Sequence, residues 1–456
     1  MSYKPIFAGL YLGAPEVIYK TPTPSERRLL EALRDMPVTY RCQIPKVSGN
    51  DIAAAVAYVN AHADAGEYTL LIDEDIITHD LHLNQENARL TIMGIDEMRK
   101  ISMDTSSQGR IFTVGASEKA GISLTLGDNI TLVGHEKNHK QSIVCVQNYA
   151  YLTMNGNSII EENSGGGVYV DGNGTFTMND NTSVYCYATA SSRDVEVKDK
   201  GRFTMKGYSS VSGNEVRKGG GVYVGDNGTF TMNDNASVSN NGKSWGGGVC
   251  VGGNGTFIMN GDASVYRNTA CYGGGVHVTK NGIFTMNDYS SVSENTAREN
   301  TSAYGGGVYV NDNGTFTMNG NASVTGNTVT GDNFGDDGGV FCDYYCNAYG
   351  GGVCVRDKGI FTMNDNASIT GNRANGYGNY GSGVCAKDEG TFRISGGILY
   401  GNNEGKLSNK SKDKDSNSPC VYGVAEYGMF SGKKWTKSGS ISTTDKTIKV
   451  VNGVLQ

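Results

Sequence analysis

The chain has 456 residues, of which 38% are apolar and 19% are charged, so it carries enough apolar material for a large core. Glycine occurs 65 times and proline 7 times, a composition that indicates a repetitive β protein. The net charge of −7 argues against nucleic acid as a partner. No stretch approaches the roughly 18 consecutive apolar residues of a membrane-spanning helix, so we expect no membrane span.

Residues 1–46 form an N-terminal extension. The segment from Lys4 through residues 6–14 has the faint outline of a signal peptide, but two glycines interrupt it and no small-x-small cleavage site follows. The sequence therefore does not establish export. Residues 21–37 predict a short helix that begins near one proline and ends before another.

Residues 47–66 predict a second helix, which Asn50 can cap and Gly66 can end. Its apolar residues recur at helical spacing, at Ile52, Ala55, Val56 and Val59. Because a β-helix exposes core side chains and unpaired backbone at its open end, we interpret this amphipathic helix as a cap. Residues 67–164 then predict irregular first coils, with strands at 68–72, 81–83, 90–93, 111–114, 122–126 and 143–146.

Residues 165–405 repeat one pattern eight times: Gly-Gly-Gly-Val-x-Val, then Gly-Thr-Phe-Thr-Met-Asn, then Ala-Ser-Val-x-x-Asn. The first Val of each unit lies at Val168, Val195, Val222, Val249, Val276, Val308, Val353 and Val384, so the first four spacings are 27 residues. A Phe follows eight residues after each of them, at Phe176, Phe203, Phe230, Phe257, Phe284, Phe316, Phe361 and Phe392. A period of this length indicates a solenoid.

Within one unit, apolar and polar residues alternate with the two-residue period of half-buried strands, and clusters of Asp, Asn and Gly separate them. Three strands and three turns per repeat predict one coil of a parallel β-helix. A coil buries about five apolar side chains, worth roughly 1.5–3 kcal/mol each, whereas ordering its backbone costs about 1–2 kcal/mol per residue. Coils must therefore stack to be stable.

A column of asparagines accompanies the coils, at Asn163, Asn214, Asn241, Asn268, Asn295, Asn327, Asn372 and Asn402. Each follows a strand residue at the same spacing. We interpret the column as a ladder whose amides bond to one another and to turn backbone, rather than as catalytic residues.

The glycine-rich repeats resemble those of the polymorphic outer-membrane proteins and related autotransporter passenger adhesins, through the Gly-Gly-Gly-Val run at residues 219–222 and the Val-Ser-Gly-Asn tail at residues 211–214. Val replaces the Phe and Gly the Ala of that family's repeats, so the match is to the repeat style. The fold is also similar to that of the pectate lyases.

The repeats predict an all-β, single-stranded parallel β-helix with three strands per coil and a capping helix. The resemblance implies that the coil is right-handed and that the protein is bacterial and lies at a cell surface or outside the cell.

The last part of the chain predicts a loop and a second cap. Residues 406–419, rich in Lys, Asp, Ser and Asn, predict a flexible loop that does not pack. In residues 420–456, the Gly-Met-Phe run at 428–430 repeats the Gly-Thr-Phe of the coils, and residues 447–455 predict a final strand that covers the far end. We expect one elongated domain with a cap at each end.

Catalytic chemistry has little support in the sequence. Enzymes of this fold that cleave pectin need Asp clusters with His or a basic residue in neighbouring coils. Of the six His, His277 alone lies in the regular repeats, and we interpret it as a solvated surface residue. Asp336 and Asp337 are the one adjacent acidic pair in the insertions, and no His or Arg motif accompanies them. The sequence predicts no catalytic residues.

The sequence contains no clear metal-binding motif, so we expect no cofactor. The alternative is that Ca²⁺ binds at the turns. Glycine or lysine interrupts the column of acidic turn residues, which favours turn formation over Ca²⁺. That column contains Asp199, Asp226, Asp312, Asp357 and Asp388. Among the ten cysteines, Cys354 and Cys385 share a column and Cys342 lies close to Cys346, but the spacings indicate neither a zinc site nor a redox motif.

The repeats lengthen at one corner. The next Gly triplet begins five residues after Asn241 and Asn268, but ten after Asn295, twenty-three after Asn327 and nine after Asn372. Insertions on one face often mark the binding face of a repeat protein. An aromatic residue precedes each triplet at this corner, at Trp245, Tyr272, Tyr304, Tyr349 and Tyr380.

These rings could stack on sugars or anchor a protein partner. The longest insertion adds further candidate ligand-binding residues, Phe334, Asp336, Asp337, Tyr344 and Tyr345. The alternative is that the rings pack on one another as a structural ladder.

The sequence thus favours a non-enzymatic, adhesin-like module, a monomer that binds a glycan or a host or cell-surface protein at the inserted corner. Two other functions stay open. One is a polysaccharide lyase or hydrolase of the pectate-lyase-like fold, and the other is a purely structural stalk.

Overall fold

Short strands build every coil, because Val, Phe and Met alternate with polar residues between turns of Asn, Asp and Gly. The structure, a computed structural model, is an all-β parallel solenoid, which confirms the predicted fold class. It describes residues 52–186, 193–213, 220–299, 302–331, 346–411, 419–431 and 434–456. The predicted helix at 21–37 and the Asn50 cap lie outside them. The chain divides into two units, Met1–Cys186 and Tyr187–Gln456.

The described part of the N-terminal unit begins with helix α1, Ile52–Ala61, followed by a 3-10 turn, Ala63–Ala65. The predicted apolar stripe of the helix is buried, namely Ile52, Ala55, Val56 and Val59. The helix packs against the first coil, and its Asn60 side chain donates a hydrogen bond to the carbonyl oxygen of His82 at 2.7 Å. The helix therefore covers that coil, as predicted.

Three parallel sheets follow in the N-terminal unit. Sheet A contains Glu67–Ile72, Arg89–Gly94, Ser123–Leu126, Tyr151–Met154 and Thr175–Met178. Sheet B contains Ile76–Thr78, Arg99–Met103, Ile130–Val133, Ile159–Glu161 and Ser183–Tyr185. Sheet C contains Leu81–Leu83, Phe112–Val114, Val144–Val146 and Val168–Val170. The strands predicted here belong to sheets A and C, and the sequence analysis missed those of sheet B.

The C-terminal unit has the same three sheets. Sheet A contains Arg202–Met205, Thr229–Met232, Thr256–Met259, Ile283–Met286, Thr315–Met318, Ile360–Met363, Thr391–Ile394, Ala425–Ser431 and Lys434–Ile441. Sheet B contains Ser210–Ser212, Ser237–Ser239, Ser264–Tyr266, Ser291–Ser293, Ser323–Thr325, Ser368–Thr370, Gly397–Leu399, Ile448–Val451 and Val454–Leu455. Sheet C contains Val195–Val197, Val222–Val224, Val249–Val251, Val276–Val278, Val308–Val310, Val353–Val355, Val384–Ala386 and Val421–Tyr422.

The phenylalanine column is the axis of the C-terminal core. Its rings, from Phe203 to Phe392, are fully buried and nearly parallel, with centroids 4.7–4.9 Å apart and interplanar angles of 3–10°. Strand register brings each Phe opposite the next, as for Phe257 and Phe284. Every ring inside the column therefore loses both of its faces to its neighbours, which is the packing that the repeat predicts.

The buried asparagines form the predicted ladder between sheets B and C. From Asn241 to Asn372, each Nδ2 donates to Oδ1 of the next Asn at 2.9–3.1 Å. The same nitrogen donates to a strand carbonyl of the preceding coil at 2.9–3.3 Å. The last member is Asn409, so the assignment of Asn402 is wrong. Asn163 lies in the N-terminal unit, and Asn214 lies outside the described residues.

A second amide ladder, which the sequence analysis missed, follows the turn between sheets A and B. Side chains of Asn233, Asn260, Asn287, Asn319 and Asn364 bond in series at 2.8–3.0 Å. The residue after each Asn has positive φ and alternates between Asp and Gly from coil to coil. The Asp carboxylate accepts the Gly N–H of the coil before it, as Asp288 does from Gly261 at 2.9 Å. Because Asp and Gly alternate at this turn, its Asp carboxylates lie two coils apart rather than in adjacent coils.

Two predictions for the end of the chain are wrong. Residues 406–411 do pack, since Gly405–Leu407 form a 3-10 turn, Lys410–Ser411 form a strand, and Asn409 is fully buried. The run at 428–430 does not repeat a coil, because the strand partner of Phe392 is Ala425. The predicted final strand is a hairpin of Ile448–Val451 and Val454–Leu455.

Replacing Phe257 with Ala should lower the free energy of unfolding by about 3–5 kcal/mol. The substitution opens a cavity between the rings of Phe230 and Phe284, and these rings cannot close it without shifting their own strands. Denaturant unfolding followed by circular dichroism measures this loss. Ile258→Thr is the matched control, since Ile258 points outward on the same strand and both of its register neighbours are threonines. Equal stability of wild type and Phe257→Ala would contradict the stacked column.

Candidate functional site

The inserted corner of the C-terminal unit holds a fourth parallel sheet, which the prediction of three strands per coil did not include. We call this sheet the fin. It begins with two continuous strands and then divides into two arms. The continuous strands are Gly242–Trp245 and Thr269–Tyr272; the first arm is Thr296–Glu299, Thr328–Gly331, Arg373–Asn375 and Lys410–Ser411; the second arm is Ser302–Tyr304, Asn347–Tyr349 and Asn379–Tyr380.

The fin divides because extra residues enter in the middle of its strand. Thr269 pairs with Thr296 of the first arm, whereas Tyr272, three residues later, pairs with Tyr304 of the second arm. Residues 300–301, 332–346 and 376–378 connect the two arms in successive coils. The three length anomalies of the sequence thus all enter between the two arms of the fin.

A small core of its own holds the two arms together. It consists of fully buried residues from both arms, Ala297, Ala303, Val329, Ala348 and Ala374. Small side chains let the arms lie close to each other. Because side chains alternate along a strand, Thr296 and Arg298 then point away from this core, and Arg298 is exposed.

The glycine triplets turn the second arm back over sheet C. At the first position of each triplet φ is positive, 63° at Gly305, and a Cβ there would lie 2.3 Å from the carbonyl oxygen of Val308. Only glycine fits so tight a reversal. The residue before the triplet is therefore laid over the outer face of the next sheet C strand, as Tyr304 is near Tyr309.

The five aromatic candidates form one continuous ladder on sheet C. Successive ring centroids lie 5.1 Å apart for Trp245 and Tyr272, 5.6 Å for Tyr272 and Tyr304, 4.8 Å for Tyr304 and Tyr349, and 4.7 Å for Tyr349 and Tyr380. The last three pairs are nearly parallel, within 16°. The ring faces are thus largely taken up by neighbouring rings.

Exposure differs strongly along this aromatic ladder. Trp245 is 52% exposed, Tyr272, Tyr304 and Tyr380 are half-buried, and Tyr349 is only 7% exposed. Burial raises the pKa of the Tyr272, Tyr304 and Tyr349 hydroxyls. The ladder offers a ligand the edges of its tyrosines and the indole of Trp245 more than it offers free ring faces.

Two cations lie against the aromatic ladder. The Arg356 guanidinium is 4.8 Å from the Tyr304 ring centroid, and the Lys387 ammonium is 4.8 Å from that of Tyr349. Asp388 holds Arg356 at 2.8 Å. These contacts order the outer edge of the tyrosines and add cation–π attraction.

The prediction that His277 is a solvated surface residue is wrong. The ring is completely buried between Trp245 and Tyr309, with centroids 5.4 and 5.1 Å away. Its Nε2 lies 2.9 Å from Oδ1 of Asn311, and no described residue bonds its Nδ1. Burial lowers the pKa of His277 to about 4, so the imidazole is neutral in the fold.

The cysteines in the same column are also covered. Cys354 and Cys385 point out of the solenoid, yet both are fully buried beneath Tyr349 and the neighbouring rings. They are register partners on adjacent strands and both are free thiols. Burial raises the pKa of Cys354 well above its usual value. This column is thus a second apolar layer outside the coils.

The other candidate residues from the sequence are not part of this site. Phe334, Asp336, Asp337, Tyr344 and Tyr345 lie outside the described residues. The five aspartates of the turn column, Asp199, Asp226, Asp312, Asp357 and Asp388, all have positive φ, which suits turn formation. Across the described ranges, no three His, Cys, Asp or Glu side chains are grouped so that they could hold a metal ion.

Comparisons with known proteins do not assign the chain to a family. No family model matches it, and no curated protein is similar to it. Among the described residues, no helix has the length and apolar character needed to cross a membrane.

Acid should destabilise the protein through His277. The unfolded chain takes up a proton near pH 6.5, whereas the folded one does so only near pH 4, so stability falls as the pH drops between these values. Between pH 7 and about pH 4.5, wild type should lose roughly 2 kcal/mol more than His277→Gln, which stays neutral. Urea unfolding at the two pH values measures the difference. Parallel losses in both proteins would contradict a buried neutral imidazole.

Removing the ring of Tyr349 should destabilise the fin. Because the side chain is buried between two other rings, Tyr349→Ala should cost about 2–4 kcal/mol. Thermal unfolding measures the loss, and Tyr289→Ala is the control because Tyr289 is 65% exposed. An unchanged melting temperature, together with weaker ligand binding, would instead identify the aromatic ladder as a contact surface.

Proposed function

We propose that the protein is a non-enzymatic, adhesin-like binding module, secreted or displayed at a cell surface, that holds a glycan or a protein partner on the fin. The main observation in support of this proposal is that the fin is an added structure with a core of its own. Coils of the N-terminal unit, such as that of Tyr151–Met154, Ile159–Glu161 and Val168–Val170, have no fourth strand. A solenoid coil thus folds without the fin, so an added surface is better explained by recognition than by stability.

The aromatic ladder supports this role by anchoring the fin rather than by offering stacking platforms. It fixes the second arm on sheet C, which leaves the outer face of the first arm facing outward. That face carries Thr296, Thr328 and Thr330, half-buried hydroxyls, beside exposed Arg298 and Arg373. Hydroxyls and guanidinium groups suit hydrogen bonds to a polar ligand. The repeat resemblance to passenger adhesins points the same way.

A tip-shortened variant tests the proposal. In the full chain, residues 332–345 are replaced by a single Asn, so that this Asn and Cys346 connect the arms with two residues, as Asn300 and Thr301 do one coil earlier. This removes the candidates Phe334, Asp336, Asp337, Tyr344 and Tyr345 and keeps a connection of a length that the fold already uses. Wild type and variant are compared on an array of neutral and acidic glycans and on intact mammalian cells. We expect at least a tenfold loss of binding, which corresponds to about 1.4 kcal/mol, with an unchanged melting temperature.

Thr231→Ala, on the outward face of sheet A, is the control and should bind as wild type does. Binding that survives the shortened tip and an added Arg298→Ala, Arg373→Ala pair would refute the fin as the binding surface. New reducing ends or unsaturated products from polysaccharides incubated with the pure protein would establish the lyase or hydrolase alternative. No binding by wild type to any array member or cell would favour the structural stalk.

A further inference from the structure

Two large apolar side chains stand in solvent at the end of the C-terminal unit. Phe residues of the regular coils are fully buried, whereas Met429 is 52% and Phe430 is 38% exposed. The phenylalanine column has already ended, because Ala425 takes the next position after Phe392. Apolar groups held in water on an ordered strand often mark an interaction site.

A bulge aims these side chains away from the core. The strand Ala425–Ser431 shifts its register between Tyr427 and Gly428 as it pairs with Lys434–Ile441. A Cβ on Gly428 would lie 2.2 Å from the carbonyl oxygen of Thr436, so the bulge requires glycine. Bulges of this kind bend a strand and redirect its side chains. Beyond it, the strand no longer pairs with Thr391–Ile394.

The hairpin of Ile448–Val451 and Val454–Leu455 forms the facing wall. Its turn, Asn452 and Gly453, has positive φ at both residues, 48° and 72°. The Gly453 N–H donates to the carbonyl oxygen of Ser395 at 2.7 Å, which ties the turn to the corner between sheets A and B. Gly453 also lies directly against Met429, since a Cβ there would be 2.3 Å from Cγ of Met429. Both walls are thus held in place.

The two walls and the corner enclose a cleft of about 680 Å³. This lies within the range of about 300–1,000 Å³ typical of small-molecule sites. Its apolar lining includes Met429, Phe430 and Val451, and its polar lining includes the amides of Asn366 and Asn452, both exposed. Apolar groups on both walls and amides in the same lining are the two halves of an amphipathic recognition surface.

We propose that this cleft binds a neutral sugar of one or two pyranose rings. A pyranose has a C–H face, which packs on an aromatic ring, and a rim of hydroxyls, which amide side chains bond as both donors and acceptors. Phe430 takes the face, and Asn366 and Asn452 take the hydroxyls. Asp365 and Lys449 both line the cleft and carry opposite charges, so the lining favours no net charge on the ligand.

The cleft is a site separate from the fin. It lies at the corner between sheets A and B, whereas the fin lies between sheets B and C. Loss of the fin tip should leave sugar binding in the cleft intact, so either proposal can fail without the other.

Titration of the full chain with cellobiose, maltose and N,N′-diacetylchitobiose, followed by isothermal calorimetry, tests the proposal. At least one disaccharide should bind saturably with one site per chain. Phe430→Ala and Asn366→Ala should each weaken its binding about tenfold. Phe430→Ala removes the ring, and Asn366→Ala removes an exposed amide that is not part of the hairpin. A folding defect in one variant would therefore leave the other variant as a valid test.

Val454→Ser is the matched control, because Val454 is 58% exposed on the same hairpin but does not line the cleft. Its affinity for the disaccharide should equal that of wild type. Absence of saturable binding by all three disaccharides at their highest soluble concentrations would overturn the proposal. Binding that Phe430→Ala and Asn366→Ala both leave unchanged would overturn it as well.

Discussion

Parallel strands stacked in register bring each side chain of a regular coil opposite its own counterpart, about 4.7–4.9 Å away. For Phe230, Phe257 and Phe284 this repetition is favourable, because each ring buries the next. For a charged side chain it is unfavourable, because like charges directly opposite each other repel. The solenoid therefore depends on columns of residues that can pair with themselves.

At the turn between sheets A and B, asparagine meets this condition, whereas aspartate does not occur in adjacent coils. An amide carries both a donor and an acceptor, so Asn268, Asn295 and Asn327 each satisfy the next one along the column. A carboxylate only accepts, and Asp234 and Asp288 accordingly alternate with glycines whose N–H groups they accept. At that turn the true structural repeat is two coils, although the core repeats with every coil.

The sequence predicts the inside of the solenoid well and its outside poorly. The Val and Phe columns repeat at a fixed period, and burial then follows from alternation alone. The fin is different, because the four residues Thr269–Tyr272 form a strand only when strands of neighbouring coils pair with them. His277 is misjudged for a related reason: alternation shows that it points out of the coil but not that an aromatic ladder covers it.

Binding chemistry in such a molecule belongs where the repetition is interrupted. Along the flat sheets, columns of identical side chains satisfy one another, and the backbone hydrogen bonds to the coils on either side. An insertion or a terminal hairpin is free of that constraint, so it can bring unlike groups into one site, such as the ring of Phe430 and the amide of Asn366 in the cleft. The fin gains the same freedom at its outer face, while its core of small side chains and its aromatic ladder keep it fixed to the coils. Regular stacking thus supplies rigidity, and its interruptions supply the chemical variety that recognition needs.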